Sequence, residues 1–241
     1  MSVPLSNASS ADAPLAAAII VAGGSGRRMG GGVRKQYLEV GGVPVLLRAV
    51  TPFVEHPRIG AVVVVLPPED VAVPPAWLAE LPVVLVAGGA ERGDSVWNGL
   101  SATPAGASAV LVHDGARPFV SAEIIGRVLD ASAEQGAIAA VQMTDTVKEV
   151  GADGVIRDTP DRTSLWRAQT PQGFPRSALV HAYERARAEG IAATDDAALF
   201  ERYVGPVRVV AGSERNLKVT RPTDLVVAEA LALAPDAAAG E

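Results

Sequence analysis

Residues 16–42 read AAAIIVAGGSGRRMGGGVRKQYLEVGG. Ala16 to Ala22 is a short apolar run, the pattern of a strand covered on both faces. It breaks into a glycine-rich loop from Gly23 to Gly32, and Arg27, Arg28, Arg34 and Lys35 follow one another closely there. No Asp or Glu occurs between Asp12 and Glu39. In α/β sheets, ligands bind beyond the carboxyl ends of strands, where the chain turns towards a helix. Glycines at such a turn let backbone N–H groups approach an anion without side-chain obstruction. Two readings compete: a flexible turn with solvated arginines, or a cradle for a polyphosphate, whose charge would relieve the repulsion among the cations.

Two familiar phosphate loops fail on spacing. The dinucleotide fingerprint needs a third glycine where Met29 stands after Gly24-Ser25-Gly26. The P-loop needs Lys and Ser/Thr after its last glycine, but Gly31 is followed by Gly32 and Val33.

The whole chain sets bounds on function. Its 241 residues can bury a substantial core. A formal charge of −6 argues against general nucleic-acid binding, yet leaves room for a local basic pocket. With no cysteine, disulfides, thiolate catalysis and cysteine-ligated zinc are all absent. Residues 1–14, MSVPLSNASSADAP, read as a disordered tail and not a signal peptide, and 235–241 as a second tail. The apolar run from Leu15 to Ala22 is too short to cross a bilayer, so a soluble cytoplasmic protein is expected.

Further strands are expected at IGAVVVVLP, PVVLVAGG, SAVLVHDGARP, AIAAVQM and VRVVAGS. Between them lie helical patterns. One has Ser121 as N-cap, an apolar face of Ile124, Ile125, Val128 and Leu129, and Gly136 as stop. Another starts at Pro175, buries Leu179, Val180, Tyr183 and Ala186, and ends at Gly190; a last helix follows Pro222. This alternation predicts one domain over 15–234, with a mostly parallel, doubly wound, Rossmann-like α/β sheet. From Met143 to Trp166 the rhythm changes. DTVKEV and GVIRDT flank a GADG turn, a β-hairpin with too little apolar content to be core. It is either a surface excursion or an arm that docks on another subunit.

The segment VAGGSGRRMGGGVRKQYLEVGGVPVL resembles the G-x-G-x-R-M…P-K-Q-Y signature of sugar-nucleotide-type nucleotidyltransferases. GGAERGDSVWNGL, VHDGARPF, DTVKEV, TPDRTSLWRAQTPQGF, TDDAALFERYV and ERNLKVTRPTDL narrow the resemblance to 2-C-methyl-D-erythritol 4-phosphate cytidylyltransferases, from about Ala16 to Ala230. The resemblance implies the nucleotidyltransferase fold and transfer of CMP from CTP to that acceptor with release of pyrophosphate. It also implies Mg²⁺, with Mn²⁺ as an alternative, and a homodimer in which the hairpin around 144–165 crosses to the partner. The attacking phosphate monoester is already largely dianionic near neutral pH, so no side-chain base is required. The three histidines, His56, His113 and His181, offer no nucleophile–His–carboxylate arrangement.

Residue by residue, the resemblance assigns Arg28 and Lys35 to the transition state, and Arg162 and Lys218 to catalysis and acceptor positioning. Ala22, Gly23, Gly24, Gly26, Gly89, Ala90 and Ser95 would surround the nucleotide, and Asp114 would hold both nucleotide and metal. Arg117, Thr146, Arg162, Thr170, Thr194 and Lys218 would form the acceptor pocket. His113 reads as a packed residue, Arg117 as a brace for the loop, and Arg92 and Asp94 as a local pair. Arg34 stands where the family usually has proline, Gly115 where it has alanine, and Ala90 where many relatives carry an acidic or polar residue. A related family acting on ribitol 5-phosphate shares the glycine loop and a DGARP-like segment. LWRAQTPQGF and TDDAALFE lean towards methylerythritol. A non-catalytic nucleotide sensor is the alternative of another class.

Overall fold

A computed structural model describes residues 15–24, 34–192 and 195–234. The first strand is β1 (Ala16–Val21); the chain is described to Gly24 and again from Arg34, where a single 3-10 turn, Lys35–Tyr37, follows. A small hairpin follows, β2 (Glu39–Val40) and β3 (Val43–Pro44). Gly41 and Gly42 close it at φ 57° and 71°, where a side chain would be strained.

Next come α1 (Val45–Val54), β4 (Ile59–Leu66), two short helices α2 (Pro68–Ala72) and α3 (Ala76–Ala79), and β5 (Val84–Ala87). The order continues with α4 (Arg92–Ser101), β6 (Ala109–Asp114), α5 (Ala122–Ala131) and β7 (Gly136–Gln142). After β8 (Glu149–Val150) and β9 (Ile156–Asp158) come β10 (Trp166–Pro175), α6 (Arg176–Ala188), α7 (Asp196–Tyr203), β11 (Val207–Ala211) and α8 (Pro222–Leu233).

Seven strands form one sheet in the order β11-β7-β10-β6-β1-β4-β5. β10 runs antiparallel to β6 and β7, while the other pairings are parallel. Alternate residues of β1 feed the two faces, as a strand's period of two requires. Ala18 and Ile20 pack with Leu46, Val50 and Phe53 of α1 and Ile124, Ile125 and Val128 of α5. Ala17 and Ile19 pack on the other face with Val96 and Leu100 of α4, Leu179 of α6 and Phe200 of α7. The sheet is thus doubly wound and mostly parallel, as the sequence predicts. Each fully buried Ile or Leu contributes roughly 1.5–3 kcal/mol by leaving water, so both faces are strongly held.

Two local expectations need correction, and one central strand has no signal in the sequence. α5 ends at Ala131, and Gly136 is the first residue of β7 instead of a helix stop. A Cβ at Gly136 would lie 2.8 Å from the Val207 side chain and 3.1 Å from Phe174, so glycine permits the close approach of neighbouring strands. Val180 is only half-buried; Ala182 takes the core position on α6. β10, a central strand, carries Pro171 and Pro175, residues that argue against a central strand in a sequence. Its pairing is irregular between Ala168 and Gln172, and this interruption accommodates Pro171.

The hairpin is present. β8 and β9 form a separate two-stranded sheet, all of whose residues are exposed, including Val150 and Ile156. Gly154, at φ 78°, makes the turn.

Candidate active site

The parallel strands direct their carboxyl ends to one edge of the sheet, where ligands of such folds bind. β6 ends there on Asp114, beside the end of β1, and β10 brings Thr170 alongside. The Asp114 backbone N–H donates to Thr170 Oγ1 at 3.0 Å. Thr170 Oγ1 also lies 3.0 Å from His113 Nδ1, and His113 Nε2 lies 3.1 Å from the Arg117 carbonyl. A carbonyl can only accept, so Nε2 carries the proton and Nδ1 accepts from the threonine hydroxyl. Burial drives the His113 pKa down to about 4, outweighing its hydrogen bonds and Asp114. His113 is therefore a neutral structural group at neutral pH, as the sequence suggests. The Thr170 hydroxyl is spent within the protein, fixing β6 to β10.

Asp114 is surrounded by cations. Lys218 Nζ lies 2.8 Å from Oδ2, Arg117 Nε 3.7 Å from Oδ2 and Arg92 Nε 3.8 Å from Oδ1. Burial alone would raise the Asp114 pKa, but Lys218, Arg92 and Arg117 outweigh it and bring it down to about 2. The carboxylate is thus ionised throughout the neutral range. Arg117 is buried and donates to the carbonyls of Asn216 at 2.7 Å and Ala168 at 3.5 Å, bracing three segments as expected. Its Nε has no hydrogen-bond partner among the described residues. Asn216, fully buried, donates to the Thr170 carbonyl at 2.8 Å, which sets the loop that presents Lys218.

Arg92 and Asp94 do not pair with each other. Arg92 reaches across to Asp196, 2.8 Å away and wholly buried at the start of α7, as well as to Asp114. Burial works against the Arg92 charge, but Asp196 and Asp114 more than restore it, and its pKa rises. Asp94 pairs with Arg187 at 2.9 Å and accepts from the Glu91 N–H. Tyr183 completes the buried cluster by donating to Asp196. The Arg92–Asp196 bridge joins residues 104 positions apart and has no local signal in the sequence.

The loops after β1 and β5 form a narrow cradle. A Cβ at Gly88 would lie 3.0 Å from Ser95 Oγ and 3.5 Å from Gly23 Cα; one at Gly23 would lie 3.4 Å from the same hydroxyl. Ser95, buried at the start of α4, accepts from the Gly89 N–H at 3.1 Å and donates to the Glu91 carbonyl. Ala22 is buried, while Gly24, Gly89 and Ala90 are exposed at the rim. Gln36 donates to the Ala22 carbonyl at 3.1 Å, and its buried Oε1 has no hydrogen-bond partner among the described residues. This positioning glutamine, just after Lys35, was not singled out in the sequence. Backbone groups and one hydroxyl can read the edge of a base here without bulk.

Lys35 opens the 3-10 turn and is half-buried. Arg34, one of the four cations expected to be uncompensated, is paired with Glu69 and, at 2.6 Å, Asp70 of α2. Arg162 lies in the turn between β9 and β10, exposed, and donates to the Thr144 carbonyl at 2.7 Å. Thr146 is exposed on the approach to the hairpin. Gly26, Arg27, Arg28 and Thr194 lie outside the described residues, as do both tails. Among the described residues, Asp114 is joined at one rim by Lys218, Arg92, Arg117 and Thr170.

No group of three His, Asp or Glu side chains that could hold a metal occurs among the described residues. A single ionised carboxylate with hard oxygen donors remains at Asp114. That suits Mg²⁺, which takes one or two carboxylates and draws its other ligands from phosphates and water.

A glycine cradle, a lone carboxylate and a ring of cations at the carboxyl edge of this sheet define a nucleotidyltransferase-type α/β protein. The sequence model of the family described as 2-C-methyl-D-erythritol 4-phosphate cytidylyltransferase matches residues 16–233, and the chain belongs to that family. It is 48% identical over 216 residues to 2-C-methyl-D-erythritol 4-phosphate cytidylyltransferase of Symbiobacterium thermophilum, covering 88% of this chain and 91% of the relative. Its fold resembles the crystal structure of 4-diphosphocytidyl-2C-methyl-D-erythritol synthase of Anaerococcus prevotii, with a TM-score of 0.81, 32% identity, and 91% and 96% of the two chains covered. The corresponding values for 2-C-methyl-D-erythritol 4-phosphate cytidylyltransferase of Thermus thermophilus are 0.77, 36%, 91% and 98%.

Proposed function

We propose that this chain transfers CMP from CTP to 2-C-methyl-D-erythritol 4-phosphate. The products are 4-diphosphocytidyl-2-C-methyl-D-erythritol and pyrophosphate, in the non-mevalonate route to isoprenoid precursors. The observation that carries the proposal is Asp114, ionised among Lys218, Arg92 and Arg117 at the strand edge of a chain matched to the family almost throughout. No described residue at this rim is placed to act as a base: His113 is neutral but sealed in the core with both ring nitrogens engaged. The acceptor phosphate needs none, since its second ionisation is near 6 by analogy with other phosphate esters.

The work left to the protein is electrostatic and geometric. The Gly23–Gly88–Ser95 cradle holds the cytosine. Lys35, with Arg28, binds the nucleotide phosphates and stabilises charge as it builds on the leaving pyrophosphate. Lys218, bonded to Asp114, has further N–H donors to offer the acceptor phosphate. Asp114 would hold Mg²⁺ (or Mn²⁺), which would neutralise part of the charge on the nucleotide phosphates.

The chain acts as a homodimer. The exposed hairpin carries Val150, Val155 and Ile156 outward, and Trp166 at its base is also exposed, a surface suited to burial against a second copy. Arg162 beside it then serves the partner's acceptor pocket with Thr146. No helix among the described residues is long and apolar enough to cross a membrane. The test is pyrophosphate release from CTP and Mg²⁺ with a panel of polyol phosphates at equal concentration. Methylerythritol phosphate is expected to give the highest kcat/KM; release only with ribitol 5-phosphate, or CTP binding without turnover, would overturn the proposal.

A further inference from the structure

Arg34 has φ −67° and ψ 141° and leads directly into the Lys35–Tyr37 turn. Its guanidinium reaches Glu69 with one nitrogen and Asp70 at 2.6 Å with another. Tyr37 donates to the same Asp70 carboxylate at 2.7 Å, and its ring packs edge-on against Trp77, with centroids 6.2 Å apart. Gln36, between them, is pinned to the Ala22 carbonyl at the end of β1. The side chains on both sides of Lys35 are therefore tied to fixed elements: α2 on one side, and β1 and α2 on the other.

We propose that Arg34, Glu69, Asp70 and Tyr37 form an ionic clasp that positions Lys35 for the nucleotide phosphates. The proposal rests on the assignment of Lys35 given above. Arg34 and its acids act through the backbone and are positioning residues. The Arg34 side chain is 28% exposed and Glu69 63%, so salt weakens this clasp more than it would a buried one. Arg34 φ is also a value that a proline ring enforces covalently. A covalent constraint can thus stand in for the ion pair at this position, and the chain, with arginine in place of the family's usual proline, has made the lysine's placement dependent on α2 and on ionic strength.

Four proteins test this: native, Arg34→Ala, Arg34→Pro, and Glu69→Gln with Asp70→Asn. In steady-state pyrophosphate release, Arg34→Ala and the double variant are expected to lose roughly tenfold in kcat, as small displacements of a charge-stabilising group do, with a smaller change in the KM for methylerythritol phosphate. Arg34→Pro is expected to recover most of that loss and to depend less on added salt than the native chain does. A second measurement needs no turnover: amide hydrogen exchange at residues 35–38 in the substrate-free protein, where Tyr37 N–H donates to the Arg34 carbonyl and Leu38 N–H to the Lys35 carbonyl. The clasp predicts faster exchange in Arg34→Ala and in native protein at high salt, and slow exchange in Arg34→Pro at either salt. Equal exchange in native protein and Arg34→Ala, or equal loss of kcat in Arg34→Ala and Arg34→Pro, would overturn the clasp. A native chain that releases no pyrophosphate would instead overturn the proposed function, and the exchange data would still decide whether the clasp exists.

Discussion

Lys218 Nζ sits 2.8 Å from Asp114 Oδ2, so the cation assigned to the acceptor and the carboxylate assigned to the metal are directly joined. Asp114→Asn removes the one anion at the centre of three cations. Its kcat is expected to fall by roughly 10²–10³, and the remaining charges repel one another. Steady-state kinetics over a Mg²⁺ series checks this; a variant that regains native kcat at high Mg²⁺ would still implicate the metal, whereas native kcat at every concentration would remove Asp114 from the mechanism.

Acid sensitivity follows from the two buried groups at the end of β6. The His113 pKa is lowered to about 4, so the stability it contributes is complete above the unfolded value near 6.5 and is lost as pH falls towards 4. Asp114 is lowered from 3.8 to about 2, so its contribution is present above 3.8 and lost as pH falls through about 2. Each is worth roughly 2–3 kcal/mol. Urea unfolding from pH 7 to pH 3 is expected to show a steady decline, with a flatter slope between pH 6.5 and 4 in His113→Gln.

Filling the base cradle tests where cytosine sits. Gly88→Ala places a methyl 3.0 Å from Ser95 Oγ and 3.4 Å from the Leu66 carbonyl, a crowding that also lowers the melting temperature. The KM for CTP is expected to rise about tenfold, the effect of a methyl group in a tight subsite, while the KM for the acceptor changes little. An unchanged KM for CTP would move the cytosine elsewhere.

Shared sites can be rebuilt from damaged parts. Arg162→Ala and Lys218→Ala are each expected to lose most activity as homodimers. After verified subunit exchange, a mixed dimer contains one intact site if Arg162 crosses between subunits. Recovery of about a quarter of native activity in an equal mixture follows from random pairing; none would place both residues in one chain's site.

Much of this was legible because buried parallel strands are written as apolar, β-branched runs, and because Ser121 and Pro222 mark helix starts with local signals. β10 carries no such signal: it is polar at Gln169, Thr170 and Gln172 and contains two prolines, yet it is held between β6 and β7. Of the residues that the motifs single out, Asp114 and Lys218 meet at 2.8 Å, and Ser95 lies against Gly23 and Gly88. The pairing of Arg92 with Asp196, and of Arg34 with Glu69 and Asp70, was not legible. Those pairs depend on which helices the sheet brings together, and nothing near either arginine announces its partner.

In the proposed reaction, charge placement drives the transfer with no proton-abstracting side chain. The pH dependence of kcat/KM should be measured with the phosphate acceptor and with a phosphonate analogue whose second ionisation lies at higher pH. The acid limb is expected to move upward with the analogue, by the difference between the two acceptors' second pKa values. A limb that stays at one pH for both acceptors would assign it to a base on the protein and contradict the account.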